Sequence, residues 1–170
     1  MPPAIVALLG TAIAFVIGLT LPDADLYLWL RHRSALTHSV LPAALLLVRR
    51  AWRTAACGMA AGTGLHLAAD SFPNHMVGYA TVKLPGIGAL PAAESYAWLA
   101  INALAALALA AWLARRLHAP RGVVLLASGF LLAGAGYLWR TDGGWPVLAI
   151  AAALGWAAWR WRRRVTPPLP

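Results

Sequence analysis

Acidic residues are scarce in this chain: five Asp and Glu stand against 14 Lys and Arg among 170 residues, and all charged types together make up 11%. A soluble globular domain carries about 25% charged residues, so that class is excluded. Disorder is excluded as well, because 61% of the residues are hydrophobic and such a chain has apolar surface to bury along its length. Cysteine is reduced to Cys57, which can form no disulfide within the chain and, inside an apolar run, reads as a small packing residue. No Gly-x-Ser-x-Gly elbow is present to carry a serine nucleophile. A continuous basic stripe is also missing. The net charge of +9 would otherwise suggest nucleic acid. The arginines instead fall in separate clusters: Arg49, Arg50 and Arg53; Arg115, Arg116 and Arg121; and Arg160 with Arg162, Arg163 and Arg164. No nucleic-acid partner is expected.

Apolar runs are what the chain has instead, and its mean hydropathy is +0.69. Six segments can be drawn: 4–20, 36–48, 54–69, 96–114, 122–139 and 145–159. About 20 apolar residues cross the hydrocarbon layer as helix, whereas a run of about 10–14 suits a half-spanning or re-entrant piece. The expectation is an all-α, polytopic transmembrane bundle of about six membrane helices, or five if the short second segment does not span. It forms one domain over 1–161, followed by a basic, Pro-rich tail over 162–170. The first run lacks a basic flank and a small-residue cleavage site before Pro22 and Asp23, so it reads as a retained helix and not a signal peptide.

With six crossings, the three arginine clusters and both termini share one side, which the positive-inside rule assigns to the cytoplasm. Arg31, Arg33, Lys83 and Arg140 fall on the other. Tryptophans form two interfacial belts, with Trp52, Trp112, Trp159 and Trp161 at the basic ends and Trp29, Trp98, Trp139 and Trp145 opposite. The outer side also gathers all five acids and His32, His38, His66 and His75. They lie in 22–39 and in 70–95, a long connection rich in Pro and Gly of the kind that is usually functional or disordered.

The residues that carry chemistry are Asp23-x-Asp25, His32-Arg33, Thr37-His38-Ser39 and His66-x-x-x-Asp70. On a helix His66 and Asp70 share one face a turn apart, and Gly58 and Gly62 continue that stripe, letting another helix approach closely. Three Asp and three His near hydrocarbon are costly unless paired, protonated or bound to metal. Carboxylate and imidazole ligands suit Zn²⁺, with Mn²⁺ or Fe²⁺ as alternatives. The metal-ligand set is Asp23, Asp25, His32, His38, His66 and Asp70, more than one tetrahedral ion needs. Asp25 and His32 serve as ligands or as general acid or base. Arg33 either holds a phosphate through its planar fork or pairs with Asp25 or anchors at the interface. Thr37 and Ser39 read as helix caps or as groups orienting ligands. His75 is a possible extra ligand, His118 lies on the wrong side, Asn102 is a hydrogen-bonding group within the fourth helix, and Glu94 favours that helix's N-terminus.

Leu-Pro-Asp-Ala-Asp at 21–25, His-Arg-Ser-Ala-Leu-Thr-His-Ser at 32–39 and Gly-Leu-His-Leu-Ala-Ala-Asp-Ser at 64–71 together resemble the YdjM-like family of LexA-binding, inner-membrane-associated metal-dependent hydrolases. Segment 95–102, with Trp98, is similar to that family's next helix. The resemblance implies a bacterial inner-membrane hydrolase distantly related to zinc-dependent phospholipase C and single-strand nucleases, which use clustered zinc ions; from the chemistry of the residues themselves, one to three ions and catalytic roles for Asp25, His32 and Arg33 are expected. A site at headgroup level meets lipids first, so the expected substrate is a phosphoester of a lipid or lipid-linked molecule. Amide or ester hydrolysis, a metal-binding transporter or sensor, and a partner-binding protein with structural motifs are the competing readings. Transport fits poorly, because no acidic chain crosses the apolar inner halves of the helices.

Overall fold

A computed structural model describes residues 2–72 and 75–165. It is an all-α bundle of six helices: α1 (Pro3–Thr20), α2 (Leu41–Leu45), α3 (Arg53–Asp70), α4 (Ala92–Leu117), α5 (Pro120–Arg140) and α6 (Gly144–Val165). A two-residue antiparallel hairpin, β1 (Lys83–Leu84) with β2 (Gly88–Ala89), lies between α3 and α4. Proline in the first turn starts α1, α2 and α5, where its missing N–H costs no helical bond. Alanine and leucine, strong helix formers, run through α4, with Glu94 in its first turn and Arg115 and Arg116 in its last to match the helix dipole.

Glycine sets the central contact. A Cβ at Gly58 would lie 2.8 Å from Phe15 N, and one at Gly62 would lie 2.8 Å from Leu19 N, so α1 and α3 touch backbone to backbone. Thr11 pairs in level with Gly58, and Leu19 with Gly62 and His66, so the two helices run parallel. α4 runs against α3: Leu67 packs with Leu99 and Ala103, while Cys57 Sγ donates to Ala110 O at 3.5 Å near the other end. Cys57 is fully buried, the packing role expected of it. α5 runs with α1, its Phe130 stacked on Phe15 at 4.1 Å. The ends of α1, α3 and α5 therefore meet the starts of α4 and α6 at one pole of the bundle.

Parallel α1 and α3 oblige segment 36–48 to return along the bundle. It does so as a broken rod: α2 spans only five residues and is followed by 3₁₀ turns at Leu46–Val48 and Arg50–Trp52. Local side-chain bonds and Pro42 interrupt it, Ser39 Oγ donating to Leu36 O and accepting from Leu41 N–H. Leu46 and Leu47 then pack beside Ala56 and Cys57, near the start of α3.

Helices α1, α4 and α5 are long and apolar enough to cross a membrane. Their apolar side chains face outward, including Ile13 and Val16 on α1, Leu104 on α4 and Leu131 and Leu132 on α5. α3 is the least apolar of the inner helices because its neighbours wrap it: most of its side chains are buried. α6 packs only near its start; from Ala151 to Arg163 it is exposed, with Arg160 and Arg163 stacked over Trp156 and Trp159. Helix continues to Val165, so Arg162 and Arg163 belong to α6 and not to the expected tail; 166–170 lie outside the described residues.

Candidate metal centre

Two segments meet at the pole. Residues 21–40 fold over the ends of α1 and α3 through a 3₁₀ turn at Pro22–Leu26 that presents Asp23 and buries Asp25. Trp29, Arg31 and Arg33 then adopt positive φ of 58°, 63° and 57°, a conformation that costs a non-glycine residue about 1 kcal/mol or more. Several bonds hold this chain path. Lys83 N–H donates to Arg33 O and Ala35 N–H to Lys83 O, both at 2.9 Å, and Ser34 N–H donates to Asp25 Oδ2 at 2.9 Å. From α4, Trp98 Nε1–H donates to His38 O at 2.8 Å and Asn102 Oδ1 accepts from Val40 N–H at 3.1 Å. The fourth helix thus satisfies two backbone groups that the broken segment leaves without helical partners.

The site brings together all six expected ligands and Arg33. His66 Nε2 lies 3.7 Å from Asp23 Oδ1 and 3.4 Å from Asp70 Oδ2, and His38 Nε2 lies 3.3 Å from the same Asp70 oxygen. Asp23, His38 and His66 offer ligand atoms all within 4.8 Å of one another and can hold a metal ion. Tetrahedral Zn²⁺ with N and O ligands at about 2.0–2.1 Å sets its ligands about 3.3 Å apart; the contacts of His38 and His66 with Asp70 lie at that spacing and the His66–Asp23 contact close to it, while the Asp23, His38 and His66 group spans up to 4.8 Å. The donor atoms are also left without other work. Asp25 Oδ1, His32 Nδ1, Arg33 Nε, His38 Nε2, His66 Nε2 and Asp70 Oδ2 are buried and have no hydrogen-bond partner among the described residues. Buried polar atoms are normally paired, and six orphans in one cluster match a set of cation ligands and their supports.

Tautomers follow from the partners. A carbonyl only accepts, so His66 donates through Nδ1–H to Leu19 O at 2.9 Å, shared with the Tyr137 hydroxyl at 2.9 Å, and its Nε2 lone pair turns to Asp23 and Asp70. His38 Nδ1 lies 3.3 Å from Asp25 Oδ2 and 3.2 Å from Thr37 Oγ1, which again leaves Nε2 facing Asp70. Asp25 therefore stands behind His38 as its orienting carboxylate, in the arrangement that commonly fixes metal-binding imidazoles. His32 Nδ1 lies 3.7 Å from Asp25 Oδ1, and its ring stacks on Tyr79 at 4.2 Å.

Arg33 pairs with Asp70 at 2.9 Å through Nη2, not with Asp25, and donates through Nη1 to Ala80 O at 2.7 Å. By holding Asp70 Oδ1 it turns Oδ2 toward the two histidines. Burial pulls on every charge in the loop. For His38 it lowers the pKa, but the Asp25 and Asp70 carboxylates overcome it and the net shift is upward. For Asp25 burial raises the pKa, and the His38 bond, the Ser34 N–H and the two histidine charges outweigh it, so the net shift is downward. His32 is lowered, by burial first and then by His38 and Arg33 against the pull of Asp25.

Other expected groups take lesser places. Thr37 and Ser39 are buried and bond to Asp25, His38 and local backbone as orienting groups. His75 is exposed and forms none of the cluster's contacts, while His118 sits toward the opposite pole at 3.2 Å from Thr11 Oγ1. Tyr137, Tyr79 and the Leu19 carbonyl carried no sequence signal, and Ser34 stood only as a member of the 32–39 run, with no role of its own. Each reaches the centre by tertiary contact alone. No family model, no curated protein and no solved structure matches this chain.

Proposed function

We propose that the chain is an integral-membrane, metal-dependent hydrolase that cleaves a phosphoester of a lipid or lipid-linked substrate. The observation that carries this reading is the convergence of the orphaned atoms of His38, His66 and Asp70, with Asp23 beside them, at the pole that collects the loops. Asp23, His38, His66 and Asp70 would hold a divalent cation, Zn²⁺ first by donor type and Mn²⁺ or Fe²⁺ next. The bound cation supplies Lewis-acid polarisation of a phosphoryl oxygen and acidification of water. The resemblance of 21–25, 32–39 and 64–71 to the YdjM-like inner-membrane hydrolases points the same way.

In the proposed reaction water adds to phosphorus, the P–O ester bond breaks and the leaving oxygen receives a proton. His32 is the proton carrier. Burial holds its pKa below the usual imidazole value, and Asp25 Oδ1 lies 3.7 Å from its Nδ1. Arg33 keeps Asp70 aligned. With six crossings, the positive-inside rule would put this pole outside the inner membrane and the arginine clusters and both termini in the cytoplasm.

Elemental analysis of detergent-purified protein tests the metal, comparing wild type with His66→Ala and Asp70→Ala and using circular dichroism to confirm helix. One or more equivalents in wild type, lost in folded variants, together with metal-dependent release of phosphate from phospholipid, is the expected result. A wild type that takes up no metal on reconstitution rejects the reading. Reporter fusions after Arg53 and within 81–89 test topology; both on one side would reject six crossings.

A further inference from the structure

The pole opposite the metal centre is rich in arginine and has no acid. Asp23, Asp25, Asp70, Glu94 and Asp142 all stand toward the metal pole, and no Asp or Glu occurs in 26–69 or 95–141. Where the return segment ends, the start of α3 and the end of α4 enclose a cavity of about 400 Å³ lined by Leu47, Arg53, Trp112, Leu113 and Arg116. Neither Arg53 nor Arg116 has an ion pair among the described residues. Arg116 lies 5.8 Å from the centroid of the Trp112 ring, a contact that uses none of its hydrogen-bond donors. Two positive charges therefore share one space with no carboxylate in its wall.

Arg53 also stands against its own helix. It is the first residue of α3, whose first turn has no acid and no side-chain cap. The start of a helix favours an anion and disfavours a cation. Arg116, in the last turn of α4, has that dipole in its favour; Arg53 has no compensation within the chain, and an anion held between the two would supply it. The rest of the wall indicates which anion. Leu113 and Leu47 pack around Ala56 and Cys57, and Val48, next to Leu47, is exposed. Trp112 belongs to the belt at the arginine-rich ends. Arginine and indole above leucine, at the end of the spanning helix α4, is the composition of headgroup level.

We infer that this cavity binds an anionic membrane phospholipid, its phosphate clamped between Arg53 and Arg116 and its acyl chains against the apolar return segment. Basic pockets between membrane helices hold anionic headgroups in this way, and the planar guanidinium fork suits phosphate oxygens. The lipid would be a resident of the leaflet at the arginine-rich pole, tying the end of the return segment to α3 and α4. The inference does not rest on the hydrolase reading, since the metal centre lies at the other pole.

Lipid retention by the full chain in detergent tests this. The protein is incubated with equal amounts of dioleoyl phosphatidylglycerol and dioleoyl phosphatidylcholine and gel-filtered, and the lipid that stays bound is counted by mass spectrometry. Wild type should keep about one phosphatidylglycerol with at least a tenfold preference over phosphatidylcholine. Arg53→Gln/Arg116→Gln should cut that preference at least fivefold with helicity unchanged. Arg115→Gln/Arg121→Gln, which removes the same charge from the same pole outside the cavity, should leave it within twofold of wild type. Arg53→Gln alone should lower retention severalfold and, in lipid-free detergent, melt no lower than wild type, because it takes a cation from the positive end of α3; this keeps a folding defect apart from a binding defect. Equal retention of the two lipids by wild type overturns the inference. So does an equal loss in the two double variants, which would assign the effect to the charge of the pole as a whole. Displacement of the lipid by millimolar inorganic phosphate would assign the cavity to the free anion and overturn it as well.

Discussion

Gly62→Ala turns the packing of α1 on α3 into a measurable property of the metal centre. A Cβ at Gly62 would stand 2.8 Å from Leu19 N and nearer still to Phe15 O. Carbon needs about 3.5 Å, so α1 must retreat by roughly 0.7 Å at Leu19. That residue's carbonyl accepts from His66 Nδ1–H at 2.9 Å. The retreat stretches the contact to about 3.6 Å, no longer a hydrogen bond. Asp23, three residues beyond the end of the same helix, moves with it. Losing a group that orients a metal-binding histidine typically costs about 10- to 100-fold in affinity, so Zn²⁺ affinity measured against a chromophoric chelator should fall by that factor. Overpacking should also lower stability by about 1–3 kcal/mol. Gly129→Ala is the matched control, because a Cβ there meets nothing within 4 Å. A folded Gly62→Ala protein that binds Zn²⁺ within twofold of wild type would refute the coupling between helix contact and site.

Asp70→Asn strips the buried Arg33 of its ion-pair partner among the described residues, and breaking such a pair costs about 3–5 kcal/mol; thermal melts should show the double variant Arg33→Met/Asp70→Asn recovering part of the loss. Tyr137→Phe removes one of two acceptors for His66 Nδ1–H. With Leu19 O still in place, affinity should drop less than tenfold in chelator competition, and a larger drop would mean that the tyrosine does more than share that proton. After chelation, stability should depend on pH from both sides. The raised His38 contributes stability that is complete below pH 6.5 and lost as pH rises through its higher folded value. The lowered Asp25 contributes stability present above pH 3.8 and lost as pH falls through its folded value. The chelated protein should thus melt at lower temperature above neutral pH while the zinc-loaded protein does not, and binding should release a proton, seen as a buffer-dependent heat in calorimetry. Asn102→Leu leaves Val40 N–H without its acceptor, a loss of about 1–3 kcal/mol; an unchanged melting temperature would show that this bond does not hold the His38 segment.

The sequence makes some of this plain and hides the rest for a physical reason. The spacing of Gly58, Gly62, His66 and Asp70 is a helical face, readable from the 3.6-residue period, and the structure has that face against α1. The six candidate residues lie together at one pole, as their shared side of the chain suggests, and three of them, Asp23, His38 and His66, form a group that could hold an ion. Arg33 has Asp70 and not the expected Asp25 as its partner, because residues 37 apart in sequence are brought together only by the fold. Tyr137 is 71 residues from His66 and was invisible for the same cause. Segment 36–48 looks like one short apolar helix, since hydropathy registers what a segment faces and not whether its backbone bonds are continuous. Its break shows only once Ser39, Asn102 and Trp98 are seen capturing the backbone groups.

Parallel contact between α1 and α3, with a return passage threaded between them, fixes when the centre can come into being. Asp23 and His38 leave the ribosome before His66 and Asp70; His38 has Asp25 behind it within its own segment, but Asp23 and the His38 Nε2 meet their counterparts only when the third helix docks on the first in glycine register. An ion held by these residues would therefore be loaded late in the life of each molecule, and the fraction of chains that take one up would count those whose first and third helices have docked in register.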